Sequence, residues 1–262
     1  MKPRFLIFSL LLLACFTLSA QPDPNFRVDT LSKSFWRIQA IKGTLSTAYL
    51  IAGNREALLI DACSGQEGLK EIVQQLIGTI PVKLALTHGH SDHSGGIKFF
   101  PDVYLHQADA DMIPKGRTVQ RHFIDDSTVF DLGDKKIEVV GIPGHTPGSV
   151  VFFDRSGRYM LTGDGIGSSM VWMQISDLPL TAYLASVKKL ESMKGGIDEL
   201  YVGHYEQEKV KLTPQYITDM RIVTEKVLEG TVETSRYEMG SRSGMKAVYG
   251  SATLVFSPDR LR

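Results

Sequence analysis

The sequence predicts a protein of the mixed α/β class, and the distribution of its apolar residues carries that prediction. Short apolar runs rich in β-branched and aromatic residues are interspersed with a few segments whose apolar residues recur at helical spacing. Polar segments containing histidine or aspartate follow directly after several of these runs, and functional side chains collect at strand ends in α/β sheets. The chain has 262 residues, 43% of them apolar, which is enough to bury a full core.

The first half of the chain is predicted to form strands around a helix. Residues 67–77 carry apolar side chains at helical spacing and are followed by Gly78, which indicates a helix that ends there. A second helix is expected at residues 107–112, and residues 116–126 are expected to be irregular because they are polar. The β-rich runs of this half cover residues 35–41, 47–51, 57–60, 82–86 and 103–105.

The second half repeats this organisation. Two amphipathic helices are predicted at residues 180–193 and 214–227. Residues 150–153 and 159–161 form a predicted hairpin that turns at Ser156-Gly157. The remaining strands of this half are predicted at residues 136–140, 200–202 and 252–256, with strand character also at Val248.

A cluster of polar residues follows the apolar run that ends at Leu86. Three imidazoles and one carboxylate lie within six residues, in a chain with only seven histidines: His88, His90, Asp92 and His93. Imidazole nitrogen and carboxylate oxygen are ligands that Zn²⁺ prefers. On extended backbone His88 and His90 project to the same side, whereas the adjacent Asp92 and His93 diverge. The cluster therefore predicts a metal site, and it could supply two cations.

This cluster is an H-x-H-x-D-H motif, and through it the chain resembles the metallo-β-lactamase superfamily. Further segments match that family in order and spacing from about residue 35 to residue 205: Asp61, Gly144-His145-Thr146-Pro147-Gly148, Thr162-Gly163-Asp164 and Gly203-His204. The resemblance implies an αββα four-layer sandwich. The apolar pattern by itself predicts only a mixed α/β protein.

The resemblance also implies a ligand set. The first cation would be held by His88, His90 and His145, and the second by Asp92, His93 and His204. Asp164 would bridge the two cations, and Asp61 would orient a ligand histidine through its other ring nitrogen. Asp92 is in addition the candidate catalytic residue. Zinc is the expected metal for both positions, and iron or manganese also suits such ligands.

The activity implied is that of a binuclear metal-dependent hydrolase. Its substrate would be a small ester, lactone, thioester or β-lactam-like molecule, attacked by a metal-bound hydroxide. Zinc β-lactamases of this family place cysteine where this chain has Asp164, which favours the glyoxalase II and lactonase type. Two alternatives share the same ligands: an iron-dependent oxidoreductase resembling persulfide dioxygenases, and a metal-binding sensor without turnover.

The substrate pocket is predicted from the stretch after Asp164. Residues 165–173 leave a strand end at the metal site, so Met170, Trp172 and Met173 are interpreted as pocket residues, with core packing as the alternative. Tyr205 and Tyr183 could donate a hydrogen bond to a developing oxyanion or could be structural. Remaining side chains are expected outside the chemistry: Cys63 as a buried apolar group, and His106 and His122 as surface residues.

The N-terminal segment predicts where the protein is located, and the charge balance bears on its partners. A basic and apolar segment over residues 1–20 indicates a bacterial signal peptide, and Leu12-Leu13-Ala14-Cys15 resembles a lipobox that would place a lipid anchor on Cys15. Periplasmic, secreted or membrane-anchored export is therefore expected. Residues 21–34 are predicted to be a linker, and residues 35–262 a single domain. Lys+Arg and Asp+Glu are both 29, which argues against nucleic acid as a partner. The resemblance implies a small-molecule substrate.

Overall fold

The first sheet contains seven strands whose spatial order follows the chain. The computed structural model describes residues 23–113, 119–205, 211–240 and 242–262, and the predicted signal segment with Cys15 lies outside them. The sheet consists of β1 (Phe26–Ser32), β2 (Phe35–Ala40), β3 (Thr47–Ala52), β4 (Ala57–Ile60), β5 (Val82–Ala85), β6 (Asp102–His106) and β7 (Gln120–Ile124). The pairs from β1 to β4 are antiparallel and the pairs from β4 to β7 are parallel.

Two helices are inserted along this sheet. Helix α1 (Leu69–Ile77) connects the parallel strands β4 and β5 and ends at Gly78, as predicted. The one-turn helix α2 (Ser91–Ser94) follows β5 and continues into a 3-10 helix at Gly95–Phe99. The predicted helix at Gln107–Met112 is also of the 3-10 type.

The rest of the chain forms two further sheets and two long helices. In chain order the elements are β8 (Val129–Asp131), β9 (Lys136–Gly141), β10 (Val150–Asp154), β11 (Tyr159–Gly163), β12 (Val171–Trp172), α3 (Leu180–Met193), β13 (Glu199–Val202), α4 (Gln215–Glu229), β14 (Thr234–Met239), β15 (Arg242–Tyr249) and β16 (Ala252–Phe256). The second sheet has the order β13-β11-β10-β9-β8, and the third has the order β12-β16-β15-β14.

The two larger sheets pack face to face through apolar side chains that point from each sheet towards the other. Ile51 and Leu58 of the first sheet belong to the same buried cluster as Phe152 of the second. Side chains on the opposite face of the first sheet, such as Leu50 and Leu59, pack with α1. Strands buried on both faces read as continuous apolar runs, as at Ala57–Ile60, all four of whose residues are buried.

The outer face of the second sheet is covered by α3, α4 and strands of the third sheet. Val187 of α3 and Val223 of α4 share a buried cluster with Val151 of β10 and Leu254 of β16. Helix, sheet, sheet and helix therefore form successive layers, which confirms the predicted αββα arrangement. None of the described helices is long and apolar enough to cross a membrane.

Some predicted boundaries are wrong. Half of the stretch predicted as a linker is β1, which pairs with β2 and buries Phe26. Residues 120–124, expected to be irregular, form the exposed edge strand β7. The antiparallel pair β14 and β15 exceeds the short strand expected near Val248. These strands expose most of their side chains, so they lack the apolar pattern on which the predictions rested.

Candidate metal centre

The seven predicted ligands all follow strands that end at one side of the sandwich. His88 and His90 lie in the loop after β5, and Asp92 and His93 lie in α2 directly behind it. The remaining three come from the second sheet: His145 after β9, Asp164 after β11 and His204 after β13. The structure therefore brings together residues separated by up to 116 positions in sequence, since His88 and His204 belong to one site.

Their ligand atoms form overlapping groups in which the atoms lie within 4.8 Å of one another: His88, His90 and His145; His88, His93 and Asp164; Asp92, His93 and His204. His90 Nδ1 is 3.0 Å from His145 Nε2, and His93 Nε2 is 3.4 Å from His204 Nε2. The first and third groups coincide with the two ligand sets implied by the resemblance. Each could hold a metal ion.

Asp164 lies between these two groups. Its Oδ2 atom is 3.3 Å from His204 Nε2, 3.5 Å from His93 Nε2 and 3.8 Å from His145 Nε2. The carboxylate thus reaches ligands of both sets, which is the position required of a bridging ligand. Gly203 permits this arrangement, because a Cβ atom there would collide with the Asp164 carboxylate and approach His93 to 2.8 Å.

Three of the histidines are fixed by hydrogen bonds on the ring nitrogen that points away from the centre. His93 Nδ1 lies 2.8 Å from Asp61 Oδ2, His145 Nδ1 lies 3.0 Å from the Trp172 carbonyl oxygen, and His204 Nδ1 lies 3.1 Å from the Thr44 carbonyl oxygen. Acceptors in these places keep the proton on Nδ1 and leave Nε2 free for a metal.

His88 is held indirectly, through Thr87. The backbone N–H and the hydroxyl of Thr87 both donate to the Asp61 carboxylate at 2.8 Å, so the Thr87 Oγ1 atom accepts from His88 Nδ1 at 3.0 Å. Asp61 therefore orients His93 directly and His88 through one intermediate. Asp61 itself has φ +64°, an uncommon conformation for a residue other than glycine, which fits a constrained functional position.

The donor set fits a cation. His88 Nε2 is buried and has no hydrogen-bond partner among the described residues. An unpaired buried polar atom is costly, and a cation held jointly with His90 and His145 would satisfy it. Burial lowers the pKa of His88 well below its usual value, that of His145 to about 4, and that of His90 as well. All three are therefore neutral at physiological pH, which is the form that binds metal.

The second ligand group is dominated by carboxylate charge. Burial opposes the charged forms, yet the Asp164 carboxylate raises the pKa of His204 to about 9, and Asp164 with Asp61 raises that of His93 well above its usual value. Despite its burial, Asp164 has a pKa well below the usual range because of His204 and His93. Likewise the hydrogen bond from His204 lowers the pKa of Asp92 to about 2. Ionised carboxylates at this centre attract positive charge.

Asp109 is a site residue that the sequence analysis missed. It is buried, and its carboxylate accepts from the backbone N–H of Gly89 at 2.8 Å, from the Gly148 N–H at 2.7 Å and from the Thr146 hydroxyl at 2.7 Å. Gly89 lies between two ligand histidines, and Thr146 and Gly148 follow His145. Asp109 therefore ties the ligand loop of the first sheet to that of the second. The other residues of this 3-10 helix are exposed or partly exposed, and the sequence alone does not indicate that Asp109 is buried among them.

Ser168 is a second missed residue. Its hydroxyl lies 3.2 Å from Asp164 Oδ1 and accepts from the backbone N–H of His204 at 3.1 Å. It belongs to the loop after Asp164, where Gly167, Ser168 and Ser169 all have positive φ. The Gly-Ser composition indicated a loop, and this tight conformation returns its backbone to the metal centre.

A cavity of about 400 Å³ opens above the ligands. It is lined by Thr44, His90, Ser91, Asp92, His145, Asp164, Ser168, Trp172, Ile175, His204, Met239 and Arg242. Trp172 thus lies where the sequence placed it. Met173 does not, because it is buried in the core beneath the second sheet, and Met170 is not among the lining residues.

The two tyrosines proposed as oxyanion donors also lie elsewhere. Tyr183 is fully buried, and its hydroxyl donates to the Gly165 carbonyl at 2.9 Å. Tyr205 follows His204 but lies against Arg37, whose guanidinium carbon is 3.3 Å from the ring centroid, beside a separate cavity of about 220 Å³. Neither tyrosine lines the metal cavity.

The two histidines outside the motifs lie away from the ligands. His122 lies 2.9 Å from Asp102 and stacks on Tyr104, and His106 accepts from the Ala108 N–H at the start of its 3-10 helix. Cys63 is buried, and burial raises the pKa of its thiol to about 12.

The family assignment rests on this geometry and on a sequence match. The family model of the metallo-beta-lactamase superfamily matches residues 41–204, which contain every predicted ligand. The chain belongs to this superfamily. Hydrolases of this superfamily characteristically bind divalent metals, and the prediction of a metallo-hydrolase is confirmed.

Similar proteins include enzymes that act on thioesters. Acyl-coenzyme A thioesterase MBLAC2 of Gallus gallus is 25% identical over 205 residues, covering 62% of this chain and 73% of that protein. The probable metallo-hydrolase YqgX of Bacillus subtilis (strain 168) is 30% identical over 151 residues, covering 49% and 70%. A metallo-beta-lactamase from Pontibacter korlensis superposes with a TM-score of 0.64 at 18% identity, covering 76% of this chain and 99% of that one. At that identity the structural likeness concerns the fold.

Proposed function

We propose that the protein is an exported hydrolase that holds two divalent cations, zinc in the first instance, and cleaves a small acyl thioester or ester. The observation that carries this proposal is the position of Asp164, within 3.8 Å of histidines from two ligand groups at the floor of an open cavity. Structural zinc sites are closed by four protein ligands, whereas these groups open onto space for a substrate.

The thioester class is favoured by the relatives and by the shape of the site. MBLAC2 is named as an acyl-coenzyme A thioesterase. The cavity wall includes Trp172, Ile175 and Met239, whose apolar surface suits an acyl chain. An aspartate at position 164 further separates the chain from zinc β-lactamases, which carry cysteine there.

Different residues of the chain would bind the cations and orient the water for hydrolysis. When bound, the cations would supply a water of lowered pKa as nucleophile and would polarise the substrate carbonyl. Asp92 faces the cavity and is ionised at neutral pH because its pKa is about 2. It accepts a hydrogen bond from the attacking water and orients it. Net addition of water breaks the acyl C–S or C–O bond and yields a carboxylic acid with a thiol or an alcohol.

The deciding experiment measures metal content and substrate turnover on one preparation. We expect about two zinc ions per chain and hydrolysis of acyl thioesters faster than of lactones and β-lactams of similar size. Iron content with oxygen uptake would instead identify the oxidoreductase alternative. Metal without turnover of any substrate in the panel would identify a sensor.

Export is the second part of the proposal and rests on sequence. Lys2 and Arg4 precede a continuous apolar run, and both a lipobox ending at Cys15 and a cleavage site near Ala20 follow. If Cys15 carries the anchor, Cys15→Ser releases the protein from the membrane fraction, because one lost lipid removes most of the membrane affinity. A wild-type protein that is soluble in the periplasm identifies cleavage near Ala20. An intact N-terminus inside the cell contradicts export.

A further inference from the structure

Among the described residues that line the metal cavity, one side chain carries a permanent positive charge. Of the described lining residues Arg242 is the only lysine or arginine, and the described residues offer it neither an ion pair nor a hydrogen bond. Most other arginines of the described chain are paired, including Arg236 with Glu238 and Arg155 with Glu138. An exposed guanidinium without a partner at the mouth of a cavity is free to bind an anion from solution.

The position of Arg242 is set by the hairpin of β14 and β15. Arg242 begins β15 and pairs with Met239 at the end of β14, and both residues line the cavity. Tyr237 of the same hairpin packs edge-on against Trp172 of the cavity wall, with ring centroids 5.4 Å apart. This contact links the exposed hairpin to the wall of the cavity and holds the guanidinium at its rim.

The charge of the cavity floor does not compensate Arg242. The acidic lining residues, Asp92 and Asp164, are both members of the ligand groups, and each is engaged by His204. Once cations occupy those groups, the acids are neutralised and the cavity as a whole is positive. A substrate that carries negative charge away from its reactive carbonyl complements this distribution.

We propose that Arg242 is a specificity residue that binds an anionic group, carboxylate or phosphate, on the part of the substrate that projects from the cavity. This inference rests on the proposed acyl thioester or ester hydrolysis and narrows its substrate class. The apolar wall at Trp172 and Ile175 contacts the acyl portion, the metal centre receives the carbonyl, and Arg242 pairs with the anion.

The test compares thioesters that share one acyl chain and differ in the thiol. N-acetylcysteamine provides a neutral thiol, 3-mercaptopropionate provides a carboxylate, and coenzyme A provides phosphates. We expect Arg242→Gln to lower kcat/KM for an anionic thioester, relative to the neutral one, by about ten- to a hundredfold, as for loss of a charge-assisted hydrogen bond. Arg242→Lys restores part of this ratio. Arg236→Gln removes the same charge from the same hairpin and leaves the ratio unchanged.

The outcomes distinguish a phosphate from a carboxylate ligand, and they distinguish failure of the Arg242 proposal from failure of the proposed thioester hydrolysis. A loss confined to coenzyme A identifies phosphate as the ligand, and a loss confined to 3-mercaptopropionate identifies carboxylate. An unchanged ratio in Arg242→Gln, or an equal loss in Arg236→Gln, overturns the role of Arg242 while thioester hydrolysis stands. If the wild type cleaves no thioester, the proposed thioester hydrolysis is wrong, and the anion site is then tested by binding alone. Quenching of Trp172 fluorescence measures the affinity for coenzyme A. Weaker binding to Arg242→Gln than to the wild type supports the anion site, and equal binding overturns it.

Discussion

The floor and the rim of the cavity are built in opposite ways. On the floor, the ligand His93 is fully buried and fixed by Asp61, and Asp164 is in contact with histidines of both ligand groups. At the rim, Met239 is 47% exposed, and Arg242 has no described polar partner. The floor lies within residues 41–204, which match the family model, whereas the rim residues of the hairpin lie beyond them.

The floor and the rim differ in how far their residues can change without affecting the metal centre. Hydrogen bonds from outside the ligand groups fix four of the histidines on the floor, so the chemistry tolerates little change there: His88, His93, His145 and His204. The rim is contributed by an exposed hairpin with few packing constraints, so its residues can vary without disturbing the metal centre. We therefore expect floor residues to determine the type of reaction and rim residues to determine which substrate is bound.

The largest effect is expected from breaking the floor at its shared ligand. Asp164→Ala should lower turnover by about a thousandfold or more and reduce the occupancy of both metal positions, because this carboxylate serves both groups. Metal analysis and single-substrate kinetics measure the two effects. His106→Ala is the control, since His106 lies away from the ligands and should change neither. Near-normal rate and metal content in Asp164→Ala would show that the ligand assignment is wrong.

A smaller effect is expected from loosening the floor without removing a ligand. Asp109→Asn retains the size of the side chain but replaces one acceptor oxygen with a donor, so at least one of its bonds to Gly89, Thr146 and Gly148 is lost. We expect metal affinity and activity to fall about ten- to a hundredfold. Asp111→Asn, an exposed acid of the same 3-10 helix, is the matched control. Equal metal affinities in the two variants would remove the positioning role of Asp109.

The sequence predicts residues within short motifs better than residues that act through distant backbone groups. Candidate ligands such as His88 and Asp164 occur in short motifs with fixed spacing, so the sequence alone predicts that they lie together, and the structure places them in one group. Asp109 and Ser168 act through backbone groups of distant loops, and no local pattern indicates which polar residue will be buried against such a group. Tyr205 follows a ligand directly, yet it lies beside Arg37 in another cavity, because adjacency in sequence does not fix side-chain direction.

The fold shows a similar limit. Strands buried on both faces, such as β4 and β10, are continuous apolar runs and were predicted closely. The strands β7 and β14 have no such runs, since most of their side chains are exposed or only partly buried. Backbone pairing holds them together with a few side-chain contacts, such as His122 on Tyr104 and Tyr237 on Trp172. Arg242 could not be assigned to the cavity from sequence because the hairpin that carries it was not predicted.

Weakening the cavity wall, against which the rim hairpin packs, should change substrate use while leaving metal binding unaltered. Trp172→Ala removes the indole surface from the cavity wall but keeps the backbone carbonyl that accepts from His145. We expect KM for a long acyl thioester to rise by about tenfold or more, and KM for the acetyl thioester of the same thiol to change less, with metal content unaltered. Loss of metal or of folding would assign Trp172 to the floor, and equal effects on both substrates would exclude contact with the acyl chain.

The smallest effect on activity is expected from a test of solvent access, which compares one thiol on the floor with one at the rim of the same protein. Cys63 is fully buried beside the centre, its thiol donates to the Ser46 carbonyl at 3.5 Å, and burial raises its pKa to about 12 from 9.0. At fixed pH its thiolate fraction, and hence its alkylation rate, should be roughly a thousandfold below that of a free thiol, even before steric protection is counted.

A thiol placed at the rim should behave differently. Met239→Cys replaces a side chain that is 47% exposed, so iodoacetamide should label this position within minutes in the folded protein while Cys63 reacts only in denaturant. Peptide mass spectrometry distinguishes the two sites. A bulky maleimide on the rim thiol should slow turnover of a long acyl thioester without displacing metal, because it obstructs the cavity mouth rather than the ligands. Labelling of native Cys63 at the rate of the rim thiol would mean that the floor opens as readily as the hairpin.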